Sequence, residues 1–199
     1  MILLVNGPNL NLLGEREPEV YGYETLADVE RMVREACAPY GVEVEAFQSN
    51  WEGAILDFLQ ERRGLAGGVI LNPGAFTHTS RALPDCLRAM PCPVVEVHIS
   101  NIHAREPWRR ESFVAPAAQG QIVGLGVSGY YYAALHLCSQ LAARAEAGQG
   151  GPAPGESPPA AVHGGEHWSW PGGSGELTPA SPGEEVPVDR RARGDYEPL

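Results

Sequence analysis

Short aliphatic and β-branched runs alternate with stretches of helical periodicity along most of the chain, and this alternation strongly constrains the fold. The runs predict five strands, at residues 2–5, 42–47, 68–71, 94–98 and 121–124. The stretches between and after them predict four helices, near residues 25–40, 51–63, 80–90 and 130–146. Such an alternation with short connections predicts a parallel sheet that helices cover on both faces.

The predicted fold class is α/β, a three-layer flavodoxin-like sandwich with a five-stranded parallel sheet. Thr25 followed by Asp28 predicts a capping box for the first helix, and Gly41 predicts a left-handed turn at its end. For the second helix, Asn50 is the expected N-cap and Glu52 the acidic residue of the first turn. Ligands bind such folds beyond the carboxyl ends of the strands, so functional residues are expected directly after strands.

The length of 199 residues suits one buried core better than two domains. Residues 1–148 are expected to form that domain, and residues 149–199, rich in Gly, Pro and acidic side chains, are predicted to be a disordered tail. The start of the chain reads as a strand and not as a signal peptide, and the four cysteines form no CxxC pair. A cytoplasmic location is therefore expected, and no apolar run approaches the roughly 20 residues of a membrane span.

The charged residues argue against two classes of function. A net charge of −11 disfavours a nucleic-acid partner, because phosphate binding needs a basic surface. All 14 basic residues are arginines, and the chain has no lysine. A mechanism that forms a Schiff base between a lysine and a substrate ketone is therefore excluded.

A long loop without predicted regular structure, residues 6–22, follows the first strand. It holds Arg16 and Tyr21 between glycines, as is typical of a lid that closes over a substrate. A tyrosine that acts as a base must ionise near neutral pH, and a nearby guanidinium favours the phenolate. A purely structural loop is the alternative interpretation.

Candidate polar residues also follow the third and fourth strands. Asn72 lies at a strand's carboxyl end, where an amide can hold a water or a developing oxyanion, and His78 is placed to donate to a substrate hydroxyl. Glu96 and His98 are two apart on a strand, hence on one face, and a carboxylate beside an imidazole fixes its tautomer and suits a general acid. The alternatives are an ordinary helix cap at residues 77–80 and a surface Glu–His pair.

Arg105 and Arg109 lie four apart, so both would face one ligand if the segment were helical. His78, His98 and His103 lack a metal-ligand spacing, which argues against a zinc site. The chain has no GxSxG elbow for a serine hydrolase, and GLGVSGY lacks the full dinucleotide pattern.

Five motifs in order resemble those of the type II 3-dehydroquinate dehydratases: NGPNLNLLGxREPxxYG, FQSNxEG, ILNPGAxTHTSxAL, EVHISNxxxRE and a segment at residues 130–135. The resemblance implies that residues 1–148 are the catalytic domain of a carbon–oxygen lyase. It implies the third step of the shikimate pathway, in which 3-dehydroquinate becomes 3-dehydroshikimate plus water by anti elimination through an enolate. It also implies that the reaction needs no metal or cofactor.

The resemblance assigns a catalytic role to each of five residues. Tyr21 would remove the proton at C2, and Arg16 would lower the pKa of that tyrosine. Asn72 would hold the water that stabilises the enolate oxygen. His98, oriented by Glu96, would protonate the departing C1 hydroxyl.

The resemblance also implies substrate contacts and an assembly. The backbone amides of Ile99 and Ser100 would receive the substrate carboxylate, and Arg105 would order the lid. His78 and Arg109 would bind ring hydroxyls. Asp85 would reach the active site of a neighbouring subunit, in a dodecamer built of four trimers.

Two other classes of function stay open on the sequence. One is a binding protein in which the acidic tail contacts a partner while the catalytic residues persist by descent. The other is an FMN-binding flavodoxin, although residues 6–9 after the first strand do not form its Ser/Thr/Gly phosphate loop. Whether the reaction runs in biosynthesis or catabolism is also open.

Overall fold

The structure is a computed structural model that describes residues 1–15 and 22–148. Its strands form a single five-stranded sheet. The strands are β1 (Ile2–Asn6), β2 (Val44–Gln48), β3 (Gly68–Asn72), β4 (Val94–His98) and β5 (Gly120–Val123). They are all parallel, in the order β2-β1-β3-β4-β5. The predicted α/β flavodoxin-like fold is confirmed, and its order reverses between β1 and β3.

The four longer helices agree with the prediction in number and place but differ at their ends. They are α1 (Leu26–Cys37), α2 (Glu52–Arg62), α3 (Ala82–Arg88) and α4 (Ser128–Gly148). A 3-10 turn (Ala38–Tyr40) extends α1, and another (Gly74–His78) precedes α3, which is shorter than the predicted 80–90 at both ends. Within the described ranges, no helix has the length and apolar character needed to cross a bilayer.

The predicted signals at both ends of α1 are confirmed, whereas the predicted cap of α2 is wrong. The capping box of Thr25 and Asp28 at α1 is confirmed, as is the left-handed Gly41 after it, at φ 64°. The predicted N-cap of α2 is wrong, because Trp51 occupies that position and no side chain caps the helix. The side chain of Asn50 instead accepts a hydrogen bond of 2.9 Å from the backbone N–H of Asn9.

Two apolar layers flank the sheet, because successive side chains of a strand point to opposite faces. One layer joins Ile2, Leu4, Ile70, Val95 and Val97 to α1 and α4. The other joins Leu3, Val5, Val69, Leu71 and Val94 to α2 and α3. The buried polar side chains of the described strands are Asn6, Asn72 and His98, each the last residue of its strand, and Glu96 within β4.

The loop after β1 is fixed to the start of the segment after β3. The backbone N–H of Gly7 donates to the carbonyl of Asn72, 2.7 Å away. A Cβ at Gly7 would lie 2.3 Å from the carbonyl oxygen of Pro73, so only glycine permits this approach. The predicted tail, residues 149–199, lies outside the described residues, and the domain boundary at 148 stays a prediction.

Candidate active site

A cleft with about 560 Å³ of empty space, part of it open to solvent, lies at the carboxyl edge of the sheet. Its walls come from the loop after β1 and the segments after β3 and β4. Seven of the predicted site residues line it: Asn72, His78, His98, Ile99, Ser100, Arg105 and Arg109. The rule that ligands bind beyond the strand ends, near the reversal of strand order, therefore located this cleft.

Glu96 and His98 form the predicted pair on one face of β4. Nε2 of His98 donates to Oε1 of Glu96 at 2.8 Å, and both side chains are buried. A carboxylate only accepts, so this contact fixes the proton on Nε2 in the neutral ring. No described residue bonds Nδ1, which is therefore the ring nitrogen available for proton exchange.

Neutral donors surround the carboxylate of Glu96, which is 0% exposed. Thr77 and Ser112 donate through their hydroxyls, and Gln121 donates from Nε2 to Oε2 at 2.9 Å. Burial alone would raise the pKa of Glu96, but the hydrogen bond and charge of His98, with the Thr77 and Ser112 hydroxyls, lower it overall. Glu96 is thus held as the anion.

A second polar network lies on the opposite face of the sheet, at the ends of β1 and β3. Nδ2 of Asn72 donates to the hydroxyl of Tyr130 on α4 at 2.7 Å, and that hydroxyl donates to Oδ1 of Asn6 at 2.8 Å. Oδ1 of Asn72 accepts from the backbone N–H of Gly74. The amide of Asn72 is thereby fixed in orientation where it meets the cleft.

His78 meets the cleft with its donor already engaged. Nδ1 of His78 donates to the carbonyl of Glu111 at 2.6 Å. Burial lowers the pKa of His78, which favours the neutral ring. Nε2 of that neutral ring is an acceptor, so the ring is set to accept from a hydroxyl, whereas the sequence had suggested donation.

The two predicted arginines reach the cleft without sharing a helix. Arg105 is the C-cap of the 3-10 turn Ile102–Ala104, and Arg109 lies in the next turn (Pro107–Arg110), so the condition of one continuous helix is not met although both residues line the cleft. Glu106 lies between them and accepts from Nε of Arg109 at 2.8 Å. Trp108 packs edge-on against His78, with ring centroids 5.2 Å apart. The Arg109 guanidinium lies over the Trp108 ring, 4.1 Å from its centroid.

The remaining predicted residues lie elsewhere. Asp85 is 78% exposed on α3, pairs with Arg88 and does not line the cleft of its own chain. Arg16 and Tyr21 lie outside the described residues.

Five residues whose hydrogen bonds orient Glu96 and Asn72 were not predicted from the sequence: Asn6, Thr77, Ser112, Gln121 and Tyr130. A signal for two of them was available. Asn6 and Gln121 are polar residues at strand positions whose neighbours are apolar, and a buried polar group needs a partner. Nothing local indicates the other three, because their partners are distant in sequence.

The fold and the cleft define an α/β protein with a buried carboxylate–imidazole pair near the carboxyl edge of a parallel sheet. The family described as dehydroquinase class II matches residues 1–138. A "Catabolic 3-dehydroquinase" of Penicillium rubens is 58% identical over 137 residues, 69% of this chain and 88% of the relative. A "3-dehydroquinate dehydratase" of Variovorax paradoxus is 58% identical over 141 residues, 68% of this chain and 97% of the relative.

Solved structures agree with the sequence comparisons. The type II dehydroquinase of Propionibacterium acnes superposes with a TM-score of 0.67 at 38% identity, over 69% of this chain and 95% of that one. That of Butyrivibrio crossotus gives a TM-score of 0.66 at 46% identity, over 68% and 95%. The chain belongs to the class II dehydroquinase family. It is therefore a hydro-lyase, and the flavodoxin alternative is set aside.

Proposed function

We propose that the cleft binds 3-dehydroquinate and removes water from it by anti elimination through an enolate, giving 3-dehydroshikimate. The Glu96–His98 pair carries this proposal, because it presents an imidazole of fixed tautomer to the cleft at the carboxyl edge of the sheet. A proton leaves C2, the enolate forms, the C1–oxygen bond breaks, and the hydroxyl departs as water after taking a proton. No metal or cofactor is assigned a step.

Each proposed catalytic residue moves a proton or stabilises charge in this sequence of steps. Tyr21, with its pKa lowered by Arg16, takes the C2 proton. The fixed amide of Asn72 holds a water against the enolate oxygen. His98, as the imidazolium beside the anionic Glu96, protonates the leaving hydroxyl through Nδ1.

Substrate binding is assigned to the same cleft. Ile99 and Ser100 follow β4 directly, and their backbone amides are proposed to receive the carboxylate. His78 and Arg109 bind ring hydroxyls, and the fixed tautomer of His78 makes it the acceptor. Arg105 is proposed to order the lid that carries Tyr21.

The test adds purified protein to 3-dehydroquinate with a chelator and follows the ultraviolet absorbance of the conjugated enone. A rise supports a dehydratase that needs no added metal, whereas no rise with good substrate refutes the proposal. His98→Ala and Tyr21→Phe should then lower kcat by about 10² or more, with KM nearly unchanged. If His98→Ala raised only KM, His98 would bind substrate without donating a proton.

The assembly, the location and the pathway belong to the same proposal. We assign the chain to a cytoplasmic dodecamer of four trimers, with Asp85 reaching a neighbouring subunit's site. Its exposure away from its own cleft supports this placement. Light scattering gives the assembly size, and Asp85→Ala should lower activity without altering that size if Asp85 serves a neighbouring site.

The proposed pathway is the biosynthetic one, as its third step towards chorismate and aromatic amino acids, and the Penicillium relative named as catabolic defines the alternative. Growth of a strain that lacks its own dehydroquinase, on medium without aromatic amino acids, tests the biosynthetic role. Deletion of residues 150–199 separates any partner-binding role of the tail from catalysis. Turnover should survive that deletion.

A further inference from the structure

We propose that Gln121 is a positioning residue for this reaction, acting on His98 through Glu96. The inference rests on the proposed function. Gln121 pairs with Glu96 in the parallel register of β5 and β4, so the two side chains lie side by side on one face. Nε2 of Gln121 donates to Oε2 of Glu96 at 2.9 Å.

The two oxygens of Glu96 are held by different partners. Oε1 accepts from Thr77 and from Nε2 of His98. Oε2 accepts from Gln121 and from Ser112, whose hydroxyl lies 3.1 Å from each oxygen and so is shared between them. Gln121 is therefore the described partner bonded to Oε2 alone, and it fixes the carboxylate against rotation.

Water cannot take over this contact readily, because Glu96 is fully buried. The titratable groups that act on Glu96 are His98 on its own strand and His78 from the segment after β3. The described groups that bond it from other elements, Thr77, Ser112 and Gln121, are neutral. The anion is thus stabilised by oriented dipoles, of which Gln121 supplies one.

Removing the Gln121 donor should affect catalysis in two ways. The carboxylate becomes less firmly oriented, so the proton of His98 is less firmly held on Nε2 and Nδ1 is less well placed. The anion also becomes less stable, so Glu96 protonates at higher pH. The rate should therefore fall, and the acid limb of the kcat profile should move to higher pH.

Gln121→Met tests this, because it keeps a side chain of similar length without a donor. Gln121→Asn keeps an amide but withdraws it by one methylene, and it serves if the methionine variant does not fold. Gln119→Met is the matched control, since Gln119 lies two residues earlier and bonds His136 and Gln140, outside the site. All variants are assayed as the full chain after thermal unfolding shows that they fold.

We expect kcat to fall about tenfold in Gln121→Met with KM nearly unchanged, and the acid limb to shift upward. Gln119→Met should match the wild type. An unchanged rate, or a loss that is uniform across pH with the acid limb in place, overturns the positioning role. If the wild type itself shows no turnover, the proposed function fails instead, so the two failures are distinguishable.

Discussion

Replacing Glu96 with glutamine tests the acid–base pair with the smallest change of shape. The wild-type carboxylate accepts from His98, Thr77, Ser112 and Gln121. An amide offers one acceptor oxygen and one donor nitrogen, so it cannot satisfy donors on both sides. If the amide oxygen of the new glutamine faces His98, its nitrogen faces Nε2 of Gln121, and two donors then oppose each other. If the amide nitrogen faces His98 instead, Nε2 of His98 must accept, which forces the imidazole into the other tautomer.

The magnitude follows from these contacts. A hydrogen bond from His98 to a charged acceptor is worth about 1 kcal/mol more than one to a neutral acceptor, and an unsatisfied buried donor costs about 1–3 kcal/mol. The sum, about 2–4 kcal/mol, corresponds to a fall in kcat of roughly 30-fold to 1,000-fold. This range overlaps the usual contribution of general acid catalysis, about 10²–10⁴.

Initial rates with 3-dehydroquinate give kcat and KM for Glu96→Gln, with Glu45→Gln on β2 as the matched control. The control glutamate pairs with Arg62, away from the cleft, and should leave both constants unchanged. A variant within about threefold of the wild-type kcat, or one that raised KM alone, would refute the assignment of Glu96 to orienting the acid.

The same variant predicts a change in the pH dependence of stability. The pKa of Glu96 is lowered by folding, so the ionised group stabilises the protein above the ordinary pKa of a glutamate. This contribution is lost as the pH falls through the lowered pKa of the folded state. Chemical denaturation across this acidic range should therefore show the wild type losing a component that Glu96→Gln lacks.

Three further substitutions test other parts of the structure. Trp108→Ala removes the ring contacts with Arg109 and His78, so KM should rise about tenfold with little change in kcat. The control Trp51→Ala, at a second exposed tryptophan, should change neither constant. Tyr130→Phe leaves buried amides without a partner and should lower Tm by about 5 °C in a thermal scan. Thr25→Ala should lower Tm by about 3 °C. Because hydrogen bonds from the Thr25 hydroxyl and backbone and from Arg31 lower the Asp28 pKa from 3.8 to about 2, this difference should shrink as pH falls through that interval, leaving the hydroxyl's cap on the Asp28 N–H.

The fold was predictable because its signals are local. Aliphatic and β-branched runs marked all five strands, and Thr25 with Asp28 marked the N-cap of α1. The errors occurred where a local signal served a distant partner. Asn50 has the side chain of an N-cap, but it holds the backbone of Asn9, 41 residues earlier, so α2 begins without a side-chain cap.

Of the site, the sequence predicted residues that line the cleft but not most of the residues that support them. Asn72 and His98 end β3 and β4, where ligands bind in such folds, and Glu96 lies two residues before His98 on the same face of β4. The residues behind them were missed because the contacts are long-range: Tyr130 lies 58 residues from Asn72, and Gln121 lies 25 residues from Glu96. Strand register brings Gln121 beside Glu96, and the packing of α4 on the sheet brings Tyr130 to Asn72. A short sequence motif predicts neither.

The period of two along the strands couples the chemistry of the site to the stability of the core. On β4, Val95 and Val97 pack toward α1 and α4, while Glu96 and His98 face the opposite side and its hydroxyl and amide donors. A slip of β4 by one residue would turn the Glu96 carboxylate into the apolar layer, and it would turn Val95 and Val97 toward the donors of Thr77, Ser112 and Gln121. The unpaired buried charge and the lost apolar packing would both oppose such a slip. The donors around Glu96 therefore help to fix the strand register on which the contact between Glu96 and His98 depends.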